Sequence, residues 1–228
     1  MRKKEHFLKL LKDIKDARHV LIIVKDDIFL PSASALYTYV LQLHKKVSLV
    51  CLCKEIDEKF SFLPWFEKIR ESAPSSADFV VELDEEIFDL YDFFEINGVK
   101  INQKISTALY ASILIRYDGF TSKNIDAKIF MDASKLLSYG ADHKRCVEVL
   151  NRTTLARLRL KSIMLRKMLL KDGAKEAFFS LDEDDLKSSG ATLSDAKLII
   201  KEALKLEYVQ KVTLVKDTKV IKSIRKEI

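Results

Sequence analysis

Three short runs of apolar, largely β-branched residues, separated by stretches of helical period, limit what this chain can fold into. They lie at 19–24 (HVLIIV), 47–53 (VSLVCLC) and 78–83 (DFVVEL). Apolar runs this short, with helices between them, belong in a parallel sheet buried on both faces by its crossovers. The intervening stretches 32–44 and 63–70 have helical spacing. From 85 to 170 the pattern is almost purely helical, with breaks near Gly98, Gly119 and Gly140. After Gly173 a second αβ unit is expected. It has a strand at 177–181, a short helix carrying Leu186, and a longer helix at 193–204 with Ser194 as its cap. A hairpin of 209–215 and 219–224 turns at Asp217-Thr218.

The expected fold class is therefore α/β: a parallel-sheet domain with a helical second half, a linker helix and a small C-terminal α/β domain. Residues 152–170 carry Leu155, Leu158, Ile163, Met164, Leu165, Met168 and Leu170 around most of the circumference of a helix. A helix apolar on nearly every side is usually buried from more than one direction. This places the domains at 1–151 and 173–228, with 152–172 as the linker helix.

Composition narrows the function classes. The chain of 228 residues is 48% apolar and 32% charged, and no apolar run approaches the roughly 20 residues that span a bilayer. The opening MRKKEHFLKLLKDIKDA reads as an amphipathic helix rather than a signal peptide. Cys51 and Cys53 alternate along an expected strand and so should face opposite ways, and Cys146 leaves the count odd. Neither a disulfide framework nor a zinc site is expected, and a reducing cytoplasm suits the chain. A net charge of +6 permits binding to a polyanion. Five glycines, with no Walker or dinucleotide fingerprint, argue against a conventional nucleotide loop.

The segment ISTALYASILIRYDGF, followed by IFMDASKLLSYGADHKRCVEVLNRTTLARLRLKSIML, resembles the later half of the catalytic domain of the DHH phosphoesterases, the RecJ-like and oligoribonuclease-like enzymes. Residues 5–50 are similar to that family's opening helix-strand-helix. The segment beginning AFFSLDEDDLKSSGATLSDAKL is similar to the start of a DHH-associated domain, here truncated before its glycine-rich, histidine-containing motif. The resemblance implies a metal site, usually of manganese, that activates water for attack on phosphorus. It also implies that this site is degraded. Arg116 stands where a metal-binding aspartate belongs before the phenylalanine of the DGF turn. The histidine and one acid of the opening motif are missing from Ile22-Ile23-Val24-Lys25-Asp26-Asp27-Ile28-Phe29, Ile28 taking the place of that acid. Asp26 and Asp84 match two surviving acids, Asp27 adjoins them, and the DHH tripeptide and its strand are absent.

Two metals bring about four positive charges, which two carboxylates beside Lys25 and Arg116 could not offset. The expectation is a catalytically inactive relative acting as a binding or scaffold protein, with a protein partner or a second copy of itself and no cofactor. One alternative is a divergent phosphoesterase that uses manganese on short oligonucleotides or dinucleotides. Another is a protein that binds nucleic acid without cleaving it. For the latter, Arg145, Arg152, Arg159 and Arg166 recur every seven residues and could track phosphates along one face. The same spacing suits interdomain ion pairs and solvated surface. His6, His19, His44 and His143 are scattered and suit surface or strand-edge positions, 182–185 suits a helix N-terminus, and Phe60, Phe62, Trp65 and Phe66 suit the core.

Overall fold

Strand β1 (His19–Val24) organises the first half of the chain. It pairs in parallel with β2 (Lys46–Cys51) on one edge and β4 (Phe79–Leu83) on the other, and β2 pairs in parallel with β3 (Ile69–Arg70). The order is β3-β2-β1-β4. Val20, Ile22 and Val24 are fully buried, as a central parallel strand requires. The computed structural model describes residues 2–53, 56–84 and 90–226, and the chain divides after Arg152 into two units, 1–152 and 153–228.

Helices cover the first sheet. Helix α1 (Arg2–Asp16) meets α3 (Leu90–Ile96) through an edge-to-face contact of Phe7 on Phe93, and Tyr39, Phe93 and Phe94 extend the aromatic cluster. Helix α2 (Leu30–Gln42) begins with Pro31 in its first turn, where the missing N–H costs nothing, and 30–40 are buried throughout. It packs on α4 (Gln103–Arg116), whose residues 105–114 are also buried. Small side chains let the two come close, and the hydroxyls of Ser32 and Ser112 meet at 2.8 Å between them. Helix α5 (Ala127–Ser138) is tied down by Lys128, whose ammonium reaches Asp92 at 2.7 Å and the buried Asp132 at 2.6 Å. Helix α6 (His143–Leu150) follows, capped by Asp142.

The helix expected at 63–70 does not form. Two 3₁₀ turns, Glu58–Phe62 and Phe66–Lys68, lead into β3 instead. The cause is Pro64: Leu63 before it is held extended, and Trp65 after it adopts a left-handed backbone at φ 66°. Trp65 is half-buried; its indole N–H donates to Thr38 Oγ1 at 3.0 Å, and Lys104 lies 4.5 Å from its ring. The family strand inferred to be lost after Asp84 is not seen among the described residues, where β4 ends the sheet and the chain resumes in α3; positions 85–89 lie outside them.

The second unit contains α7 (Leu155–Lys167), β5 (Leu169–Lys171), β6 (Glu176–Leu181), α8 (Glu183–Ser189), α9 (Leu193–Glu202), β7 (Lys211–Lys216) and β8 (Lys219–Arg225). Its sheet runs β5-β6-β7-β8, with β6 and β7 parallel and both outer pairs antiparallel. The proposed linker helix is thus part of this unit, and the boundary lies after Arg152 rather than near Gly173. The helix also ends earlier than expected. Met168 is already extended, and 169–171 form an edge strand. Only Leu160 and Met164, one turn apart, are buried on α7, in a core with Phe179, Ile199, Ile200 and Val212; Leu155, Leu158 and Leu165 are exposed. The cap of α9 is Thr192, not Ser194, because Thr192 and Asp195 satisfy each other's backbone N–H groups in a capping box. The acidic run at 182–185 caps α8 in the same way, through Asp182 and Asp185. Asp217 and Thr218 both have positive φ, 47° and 72°, which suits a two-residue hairpin turn. No helix of the described residues is long and apolar enough to cross a membrane.

If α7 is held by one face, Leu160→Ala should lower the stability of the second unit by about 2–5 kcal/mol, while the exposed Leu158→Ala should change it by no more than about 0.5 kcal/mol. Thermal melts of both variants decide the matter; equal losses would mean that the outer face of α7 is covered too.

Candidate functional site

Open parallel sheets present ligands at the carboxyl ends of their strands, and Asp26, Asp27 and Asp84 lie there. Beyond β1 the chain reads Lys25-Asp26-Asp27, and Asp84 follows β4. In the register of the two strands, Ile23 lies beside Glu82 and Val24 beside Leu83. Alternation then puts Lys25, Glu82 and Asp84 on one face. The Lys25 ammonium lies 2.8 Å from Glu82 Oε2, both side chains being largely exposed. The hydrogen bond that the ammonium donates to Glu82, then the charge of Glu82, hold the lysine pKa above its ordinary value, and Asp84 adds to this. Glu82 was not anticipated; the signal was a lone acid in the otherwise apolar VVEL.

The two neighbouring aspartates have local hydrogen-bonding roles. Asp26 Oδ1 accepts from the Ile28 amide at 3.1 Å and caps a 3₁₀ turn, Asp27–Phe29, that leads into α2. Asp27 is half-buried, and its Oδ2 accepts from the Asp57 amide at 3.1 Å. That bond ties the β1 end to the chain entering the Glu58–Phe62 turn. Burial pushes the Asp27 pKa up, against the lowering effect of the Asp57 amide and of Lys59.

The cysteines depart from expectation. Strand β2 ends at Cys51, so strict alternation lapses before Cys53, and the two sulfurs lie 2.8 Å apart instead of on opposite faces. Both are free thiols, and burial, then the contact with Cys51, pushes Cys53 up to about 12. Such a thiol stays protonated and is a poor nucleophile or metal ligand.

Arg116 is exposed at the end of α4, 5.9 Å from the Tyr117 ring, and borders a small cavity with Tyr91, Ser112 and Asp132. The four-arginine stripe is not continuous. Helix α6 stops at Leu150 and α7 starts at Leu155, so Arg145 and Arg152 belong to the first unit and Arg159 and Arg166 to the second. Arg145 and Arg152 do come together on one cavity with Ser61 and Lys144. His19 is buried rather than superficial, its ring nitrogens 3.0 Å from Ser76 Oγ and Ser48 Oγ, and His143 Nδ1 lies 2.8 Å from the Tyr110 hydroxyl.

Manganese fits this set poorly. Among the described residues no group of three or more His, Cys, Asp or Glu is placed to hold a metal ion. The acids at the strand ends are interleaved with a lysine ammonium, which opposes a divalent cation.

A half-buried carboxyl with a raised pKa weakens the fold once ionised. That penalty is absent well below the ordinary aspartate range and complete above the raised folded-state pKa. Asp27→Asn, which keeps the acceptor, should therefore raise the melting temperature relative to the parent at pH 7 and not at pH 3. An equal effect at both pH values would show that ionisation of Asp27 is not the cause.

No known family model matches the sequence, and no curated protein matches it either. Solved structures do match. An exopolyphosphatase-related protein from Bacteroides fragilis superposes with a TM-score of 0.78 at 14% identity, over 93% of this chain and 80% of that one. RecJ from Thermus thermophilus, solved with Mn2+, matches with a TM-score of 0.42 at 13% identity, over 94% of this chain and 46% of its own. A RecJ exonuclease bound to manganese gives 0.42 at 14%, over 94% and 80%. The parallel first sheet with its helices, the second small sheet and the extent of the first of these superpositions give the chain a DHH-like fold.

Proposed function

We propose that this protein is a relative of the DHH phosphoesterases that has lost hydrolysis and acts by binding. The observation that carries the proposal is the Lys25–Glu82 pair at the strand ends. A two-metal phosphoesterase needs a concentration of carboxylates and imidazoles there, with room for two cations and a water. This chain instead supplies one fixed positive charge from its own side chain, within the field of Glu82 and Asp84. Asp26 and Asp27 are occupied in shaping the turn into α2. Arg116, where the sequence resemblance implies an aspartate, is a cation and not a ligand.

A binding role is further supported by the outer face of α5. Phe130, Met131 and Leu137 are exposed on it, and Phe130 stacks on Phe120 at 5.3 Å between centroids. Apolar side chains grouped in this way suit contact with another protein, either a different chain or a second copy. The three free thiols suit a reducing, cytoplasmic setting.

Purified protein incubated with short oligoribonucleotides and manganese or magnesium should release no mononucleotide above a metal-free blank. Metal-dependent release that disappears in Asp84→Ala would mean that a working phosphoesterase centre survives.

A further inference from the structure

Helix α6 lies against the Glu58–Phe62 turn, and between them is a surface cavity of about 440 Å³. It is large enough for a small ligand, since such sites run from roughly 300 to 1,000 Å³. Arg145, Glu148 and Val149 line it at i, i+3 and i+4 on one side of α6, Arg152 joins them from just beyond the helix end, where its amide donates to the Val149 carbonyl at 3.2 Å, and Ser61 faces them from the turn. Its charges are unevenly engaged. Asp142, on the rim, accepts from the Arg145 amide at 3.0 Å as the helix cap, and Glu148 has Lys144 within 3.9 Å. The guanidinium groups of Arg145 and Arg152 have no hydrogen bond or ion pair among the described residues. Two exposed, uncompensated guanidinium groups on one cavity, with a hydroxyl opposite, form a donor set for a tetrahedral oxyanion.

We propose that this cavity binds the phosphate group of a small phosphorylated metabolite. Arg145 and Arg152 take the phosphate oxygens, Ser61 donates from the opposite wall, and the edges of the largely buried Phe62 and Val149 supply the apolar part of the lining. A compact ligand is favoured over a nucleic-acid strand for two reasons. Asp142 and Glu148 flank the arginines, so the neighbouring phosphates of a strand would meet carboxylates. The seven-residue arginine repeat, moreover, does not run along one helix, since α6 ends at Leu150 and α7 begins at Leu155. The site does not depend on the acids at the strand ends.

The test is calorimetric titration of the full chain with inorganic phosphate, adenosine 5′-monophosphate, adenosine and a twelve-residue oligothymidylate. EDTA throughout excludes any metal at the strand ends, so the outcome is separate from the question of hydrolysis. Saturable one-to-one binding of phosphate and the monophosphate is expected, with none of adenosine. Arg145→Ala and Arg152→Ala should each weaken the monophosphate by about tenfold or more. Arg159→Ala, in the other unit, should bind as the parent does. Ser61→Ala should cost less than either arginine. The proposal fails if neither phosphate nor the monophosphate binds, if adenosine binds as well as its monophosphate, or if both arginine variants bind like the parent. It fails equally if the oligothymidylate binds more tightly than the monophosphate through the same arginines, which would make the surface a nucleic-acid track.

Discussion

Pairing of β1 with β2 on one edge and β4 on the other is the constraint on which the first unit depends. Because β1 is hydrogen-bonded on both sides and covered on both faces, Val20, Ile22 and Val24 have no freedom to shift register without exposing the whole strand. The turn after Val24 is therefore fixed in space. It presents 25–27 beside the ends of β2 and β4, where open α/β sheets hold their ligands. The scaffold for a strand-end site is intact.

The side chains at the strand ends make a consistent local structure of their own. Asp26 starts the 3₁₀ turn that delivers Pro31 to the first turn of α2, and Asp27 holds the Asp57 amide and thereby the path of the loop after β2. Lys25 and Glu82 neutralise each other across the β1–β4 ladder. Asp26 and Asp27, candidates for metal ligands in the sequence, thus serve as a turn cap and as the acceptor for a loop amide. At those sites a carboxylate keeps its value without a cation.

The sequence carried the parallel sheet, the helical stretch after it and the second αβ unit, because buried strands and amphipathic helices leave periodicities that tertiary context seldom overrides. It failed where one residue outweighs a pattern. Pro64 converts the apparently helical stretch 63–70 into a 3₁₀ turn and a strand. The apolar circumference of 152–170 suggested burial from two sides, yet Leu160 and Met164 alone are buried on α7, and part of that segment is the β5 edge strand. At the candidate site Asp26, Asp27 and Asp84 were placed correctly at strand ends, since position along a strand is legible. Glu82, Asp57 and Ser61 were missed, because their roles depend on which segments meet in space. The arginine repeat was visible, but the break between α6 and α7 that splits it into two pairs was not. The meeting of Cys51 with Cys53 is not legible because it depends on β2 ending two residues earlier than its apolar run does.

The central claim is that a DHH-like scaffold has exchanged its metals for internal ion pairing. Calorimetric titration of the metal-free protein with manganese chloride, beside a Lys25→Ala variant, tests this most directly. The account predicts no saturable binding to the parent at micromolar metal, and at most weak binding once the lysine is removed and Glu82 and Asp84 are left uncompensated. Stoichiometric, tight binding of manganese to the parent, abolished by Asp84→Ala, would contradict it.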